Sequence, residues 1–163
     1  MSIRRRILRR LELGTRVGQI LLCLIKLMER TLVIMHPGSL GDVLLAVPAI
    51  RRLLARFPQH RSLLVSNEPV GRLLLDCRLF DSWMSVQSAA CSDLFAGSFS
   101  PSTELGHWFT GCDCAVAWIN DEGETFATAL RRCGVRELWV QSPFSSGLKA
   151  THQSDRFLET MGE

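Results

Sequence analysis

The chain has 163 residues, 47% of them apolar, and a formal net charge of +3. That length suits one domain burying roughly 70% of the unfolded chain's surface, and the composition is that of an ordinary globular protein with a slight apolar tilt. The charge is uneven: residues 1–30 hold eight basic and two acidic groups, a net of +6, so the remainder carries −3. Nucleic acid is not expected as a partner, because the basic cluster lacks interleaved aromatics and the rest of the chain is acidic.

Residues 1–30 read as a basic amphipathic helical extension. Ile7, Leu11, Val17, Leu21, Leu24 and Met28 recur at three- to four-residue spacings, with one break at Gly14. The longest apolar run, Ile20 to Ile25, is far short of the about 20 residues that span a bilayer. Lys26 to Arg30 offers no small-residue cleavage site. Two readings stay open: an interfacial helix held to an anionic membrane surface, or a helix packed on the domain or left as a solvated arm.

The domain proper, residues 31–163, begins with a β-prone run (Leu32 to Met35) stopped by His36-Pro37. A loop with two glycines follows, then Asp42 and an apolar-periodic helix ending in Arg51, Arg52 and Arg56. Strand, tight turn and helix make the first unit of an open α/β sheet, which binds ligands at the carboxyl ends of its strands. Pro48 lies about two turns into that helix, where it removes a hydrogen bond. Ser62 to Ser66 is a second strand, Pro69 to Asp76 a short helix and Trp83 to Val86 a third strand. Ala89 to Gly111, rich in Ser, Gly and Phe, carries no clear period. Cys112 to Ile119 is a strand, Asn120 and Asp121 cap a helix through Cys133, Glu137 to Gln141 is a fifth strand, and Gln153 to Met161 a closing helix. Strands separated by helical segments imply parallel pairing with right-handed crossovers. The expected fold is therefore α/β, a Rossmann-like, mostly parallel sheet with helices on both faces.

The six cysteines contain no C-x-x-C pair, and the four histidines are scattered. Cys112 and Cys114, two apart in a strand, are expected on one face. No metal site is predicted; the cysteines read as buried apolar groups in a reducing compartment.

The loop His36-Pro37-Gly38-Ser39-Leu40-Gly41-Asp42 fits neither the dinucleotide fingerprint nor the P-loop spacing. Taken bare, Asp42 is a helix N-cap or first-turn acid. The longer string HPGSLGDVLLAVPAIRRLLARFP, residues 36–58, resembles the amino-terminal signature of the family 9 glycosyltransferases, the lipopolysaccharide heptosyltransferases. The resemblance rests on the small-residue loop, Gly41-Asp42, Pro48 within the helix, and Phe57-Pro58. It covers Thr31 to Ser66 closely and runs loosely to Gln141, and His152 to Leu158 is similar to the segment before that family's interdomain linker.

The resemblance implies the amino-terminal half of a GT-B architecture, two Rossmann-like domains facing across a cleft. The amino-terminal domain would hold a lipid-linked glycan acceptor. A carboxy-terminal domain, absent from this sequence, would hold a nucleotide sugar such as ADP-heptose; no cofactor is implied. The family's proposed general base carries over to Asp42, and the substrate-binding segment to His36, Gly38, Ser39, Leu40 and Gly41. Gly38 and Gly41 would admit a bulky sugar, and Ser39 would hydrogen-bond a sugar hydroxyl or diphosphate oxygen. His36 stands where such enzymes often carry Arg or Lys. The implied reaction is inverting sugar transfer at the inner face of the cytoplasmic membrane, with the isolated chain expected to be inactive. The alternatives are a non-catalytic half-enzyme that binds a sugar or a partner, and a membrane-surface adaptor acting through residues 1–30.

Other residues carry weaker expectations. His107-Trp108 could stack on a sugar, although Trp83, Trp108, Trp118 and Trp139 all read first as core. Asn120, Asp121 and Glu122 follow a strand end and either line the cleft or cap a helix. Arg51, Arg52 and Arg56 read as a solvated face, and Ser142-Pro143-Phe144 as a further acceptor-side candidate.

Overall fold

A computed structural model describes residues 30–143 and 152–160. Of the basic extension over residues 1–30, all but Arg30 lies outside the described residues, as do Phe144 and Met161. The described residues form five strands and six helices: β1 (Thr31–His36), α1 (Leu40–Arg56), β2 (Arg61–Ser66), α2 (Glu68–Asp76), β3 (Ser82–Ser85), α3 (Ala89–Phe95), α4 (Glu104–Phe109), β4 (Cys112–Ala117), α5 (Thr125–Arg132), β5 (Glu137–Val140) and α6 (Gln153–Glu159). The strand order is β3-β2-β1-β4-β5, and every pairing is parallel. The expected Rossmann-like α/β architecture is the one observed, with the sheet wholly parallel among the described residues.

Strand β1 is buried along its whole length because it sits mid-sheet with helices on both faces. Leu32 and Ile34 enter one layer with Val43, Ala46, Ile50 and Leu53 of α1, and with Phe157 of α6. Val33 and Met35 enter the other, with Leu94 of α3, Leu105 of α4 and Phe126 of α5. Helix α1 runs through Pro48, which lies on its exposed side. Proline there removes the N–H that the Leu44 carbonyl would otherwise accept, and Leu44 is itself exposed. Among the described residues, no helix is long and apolar enough to cross a membrane.

Three local expectations are corrected. Cys112 and Cys114 face opposite layers. Thr31 pairs with Cys112 but Leu32 with Cys114, so Asp113 is an extra, bulged residue that breaks the two-residue alternation. The helix after β4 starts at Thr125, not at Asn120, although the Asp121 carboxylate still accepts the N–H groups of Phe126 and Ala127 at 3.1 and 2.9 Å. Nor are the cysteines uniformly buried: Cys91, Cys112 and Cys114 are, while Cys77 is exposed and Cys133 half-buried. Burial pushes the Cys112 thiol up to about 12 and raises that of Cys114 further, which leaves both unreactive. The segment without a clear period forms α3 and α4, each opened by a hydroxyl cap: Ser88 accepts from the Cys91 N–H and Thr103 from the Gly106 N–H.

Candidate functional site

Helices α1 and α5 leave β1 and β4 on opposite faces of the sheet, so the loops after these adjacent strands diverge. A crevice outside the carboxyl ends of the strands at such a switch point is where open α/β sheets bind ligands.

At this edge β1 gives way to the loop from His36 to Asp42. His36 ends β1 and is only 1% exposed, its ring lying 5.5 Å from that of Trp118 and 5.4 Å from that of Phe157. Burial lowers its pKa to about 4, against the smaller opposing pull of the Asp42 charge. The ring is therefore neutral, and its Nδ1 accepts the Gly38 N–H at 3.2 Å, which puts the proton on Nε2. A Cβ on Gly38 would stand 2.6 Å from His36 Cε1, so glycine is required there by the ring beneath. From the other side, Asn67 at the end of β2 donates its Nδ2–H groups to the carbonyls of Pro37 at 2.5 Å and Gly38 at 3.3 Å.

Above this support the loop opens outward. Ser39, Leu40, Gly41 and Asp42 are exposed, and a Cβ on Gly41 would meet only Ser39 Oγ at 3.9 Å. Asp42 is the third residue of α1 and forms a capping box with Ser39. Its Oδ2 accepts both the Ser39 hydroxyl at 2.7 Å and the Ser39 N–H at 3.0 Å. Those two bonds hold the carboxyl below the usual aspartate range. Both fall on Oδ2 of a residue that is itself exposed.

A separate cleft of about 580 Å³ lies at the carboxyl ends of β4 and β5, lined by Asn120, Asp121, Glu122, Gln141, Ser142 and Thr160 among others, with no residue of the His36–Asp42 loop in its lining. Asn120 donates to Glu122 at 2.9 Å, so of the two expected caps only Asp121 serves the helix. Trp118 links this cleft to the support of the loop: its ring packs on His36, and its Nε1–H donates to Thr160 Oγ1 at 3.1 Å, which in turn donates to Gln141. Among the described residues, no group of three or more His, Cys, Asp or Glu side chains is placed to hold a metal ion.

Several sequence candidates lie elsewhere. Trp108 sits at the amino edge of the sheet, where its carbonyl accepts from Thr31 Oγ1 and the Arg61 guanidinium covers its ring at 4.5 Å. It is half-buried and far from the crevice, with His107 exposed beside it. Arg56 also lies at that edge, paired with Glu137 at 3.2 Å and stacked 5.3 Å over Trp139. Of the tryptophans read as core, Trp118 is fully buried, whereas Trp83, Trp108 and Trp139 are half-buried. Sequence reasoning missed Asn67, Gln141 and Thr160. The signal for Asn67 was present, since a strand ending in Ser66-Asn67 before Glu68-Pro69 puts an amide at the ligand-binding edge.

No family model matches the chain, and no curated protein matches it by sequence. Among solved structures it is similar to a family 9 glycosyl transferase from Veillonella parvula DSM 2008, with a TM-score of 0.53 and 14% identity. The fold is family 9 glycosyltransferase-like. The match covers 83% of this chain and 41% of that one, so the chain spans about two fifths of its neighbour's length.

Proposed function

We propose that this chain is the acceptor-binding half of a glycosyltransferase resembling the ADP-heptose:lipopolysaccharide heptosyltransferases. The observation that carries the reading is the loop His36 to Asp42, rigidly held from beneath and presenting an open carboxylate and a hydroxyl at the switch point of a family 9-like fold. In this reading Asp42 Oδ1 takes the proton of the acceptor hydroxyl as that oxygen attacks the anomeric carbon of the nucleotide sugar from the face opposite the leaving diphosphate. Ser39 holds a neighbouring sugar hydroxyl, Leu40 and Gly41 form the open floor of the subsite, and buried His36 and Gly38 set the loop's height. The sugar donor belongs to a second domain, and the acceptor is a glycan carried on lipid at the inner face of the cytoplasmic membrane.

The capping box also favours a second reading. A carboxylate already satisfied by two Ser39 donors and held below its usual range is a weak base, which suits a half-enzyme that binds sugar without transferring it. Calorimetric titration of the chain with lipid-free core oligosaccharide, then with ADP-heptose, tests the common part. Acceptor binding that Ser39→Ala weakens severalfold, about the loss of one neutral hydrogen bond to a sugar hydroxyl, is expected, with no ADP-heptose binding. Binding of neither would overturn both readings. To separate them, the chain is combined with a donor domain: turnover that Asp42→Asn abolishes supports the base, and turnover retained by that variant removes it.

A further inference from the structure

Five large apolar side chains stand exposed among the described residues, and four of them lie in one helical layer: Leu40, Leu44 and Leu45 on α1, and Leu73 on α2, which packs beside it. Leu40 belongs to the acceptor loop. The other three are 50%, 38% and 41% exposed, and Pro48 is exposed as well, so the outside of this layer is an aliphatic surface beginning one turn past that loop. Clustered apolar side chains of this kind mark an interaction site. The sequence holds a matching surplus. Residues 17–28 include nine apolar side chains and a single charge, Lys26. They are too few to span a bilayer, which takes about 20 residues. They join the domain directly at Arg30, whose carbonyl accepts the Arg61 N–H at 3.0 Å, at the edge of the sheet where α1 also ends in Arg56.

We infer that residues 17–28 fold back over the outer side of this layer and cover Leu44, Leu45 and Leu73. The reach is sufficient. Leu44 lies about 18 Å along α1 from Arg56, and the outer side of the layer is two packing distances, roughly 20 Å, from the sheet. The straight path of about 27 Å falls between the roughly 20 Å that residues 17–29 span as a helix and the roughly 43 Å they span extended. The tether selects the occupant: a short linker holds the tract near the surface at about millimolar effective concentration, above that at which a second copy of the chain competes. Charge permits the contact, because Lys26 alone adds to the field of Arg51 and Arg52, while the six arginines between residues 4 and 16 precede the tract. The contact buries apolar area on both partners, which is its driving force. Ending at Leu44, the covered surface stops about one turn short of Ser39–Asp42, so these residues leave the acceptor subsite open.

The test places photoreactive benzoylphenylalanine at position 44 of the full chain and maps its cross-links by peptide mass spectrometry. Leu44 is exposed, so the fold should tolerate the change. The expected product joins position 44 to residues 17–28 of the same chain, at a yield unchanged over about a hundredfold dilution. The same photoreactive residue at position 95, exposed at the end of α3 on the other face of the sheet, should not form it. Leu21→Asp/Leu24→Asp should cut the yield at position 44 about tenfold or more, whereas Lys26→Glu, which spares the apolar side chains, should not. A yield indifferent to Leu21 and Leu24 would overturn the inference. So would a product joining two chains that fades on dilution, a product formed only with added phosphatidylglycerol vesicles, or no product with residues 17–28. Cross-linking needs neither donor nor acceptor sugar, so its failure and a failed acceptor titration register separately.

Discussion

Gly38 and Gly41 are equivalent in the sequence motif and opposite in the structure, which makes the pair Gly38→Ala and Gly41→Ala informative. A methyl at Gly38 would lie 2.6 Å from His36 Cε1, 2.9 Å from Nδ1 and 3.0 Å from Asp42 Cβ. The imidazole cannot withdraw, because it is 1% exposed and wedged against Trp118 and Phe157. The loop must rise instead, breaking the Gly38 N–H to Nδ1 bond and straining the Asn67 bond to the Gly38 carbonyl. Overpacking costs about 1–3 kcal/mol and the lost hydrogen bond about 1 kcal/mol, so the variant should lose about 2–4 kcal/mol in all. At Gly41 the methyl meets only Ser39 Oγ at 3.9 Å, inside the first turn of a helix. Alanine there should be neutral or stabilising by up to about 1 kcal/mol. Urea unfolding followed by tryptophan fluorescence gives both numbers. A Gly38→Ala loss below about 0.5 kcal/mol, or a Gly41→Ala loss above about 1 kcal/mol, would refute the view that His36 is a fixed strut under the loop.

Three further outcomes follow from the same contacts. Burial holds the His36 pKa at about 4 in the folded chain against 6.5 for the free side chain, so the unfolded state binds the extra proton between those values. Stability should fall as pH drops from about 6.5 toward 4, by about 3 kcal/mol at most, and His36→Leu should flatten that slope in pH-dependent denaturation; an unchanged slope would assign it to other groups. For Asp113 burial raises the pKa, and the bonds from His60 and Arg30 more than offset it. His60 Nε2 lies 2.5 Å from its carboxylate, while the Arg30 and Arg136 side chains are 62% and 73% exposed and add little. Asp113→Asn should therefore cost about 1–3 kcal/mol, seen as a lower urea midpoint, and little loss would mean the bulge does not depend on its charge. Asn67→Ala removes both donors that clamp the Pro37 and Gly38 carbonyls. It should destabilise by about 1–2 kcal/mol and weaken acceptor binding; stability loss with acceptor affinity intact would limit Asn67 to a structural role.

What the sequence determined by itself was local. The run Leu32 to Met35, the two-glycine loop and the period of Val43, Ala46, Ile50 and Leu53 specify strand, turn and helix through contacts a few residues apart, and the alternation repeated along the chain restricts the sheet to parallel pairing. The capping role of Asp42 was legible for the same reason, since its partner Ser39 is three residues away. Only the tertiary structure decided what depends on distant partners. The bulge at Asp113 exists in the pairing of β4 with β1, some eighty residues earlier, and it alone sends Cys112 and Cys114 to opposite faces. Asn67 reaches Pro37 across two adjacent strand ends. His36 looks like an exposed loop residue beside Pro37, and becomes a neutral buried strut because Trp118, just past β4, and Phe157 of α6 close over it. Hydrophobic period and capping are read from neighbours along the chain, whereas desolvation, register and close approach are set by which strands and helices meet.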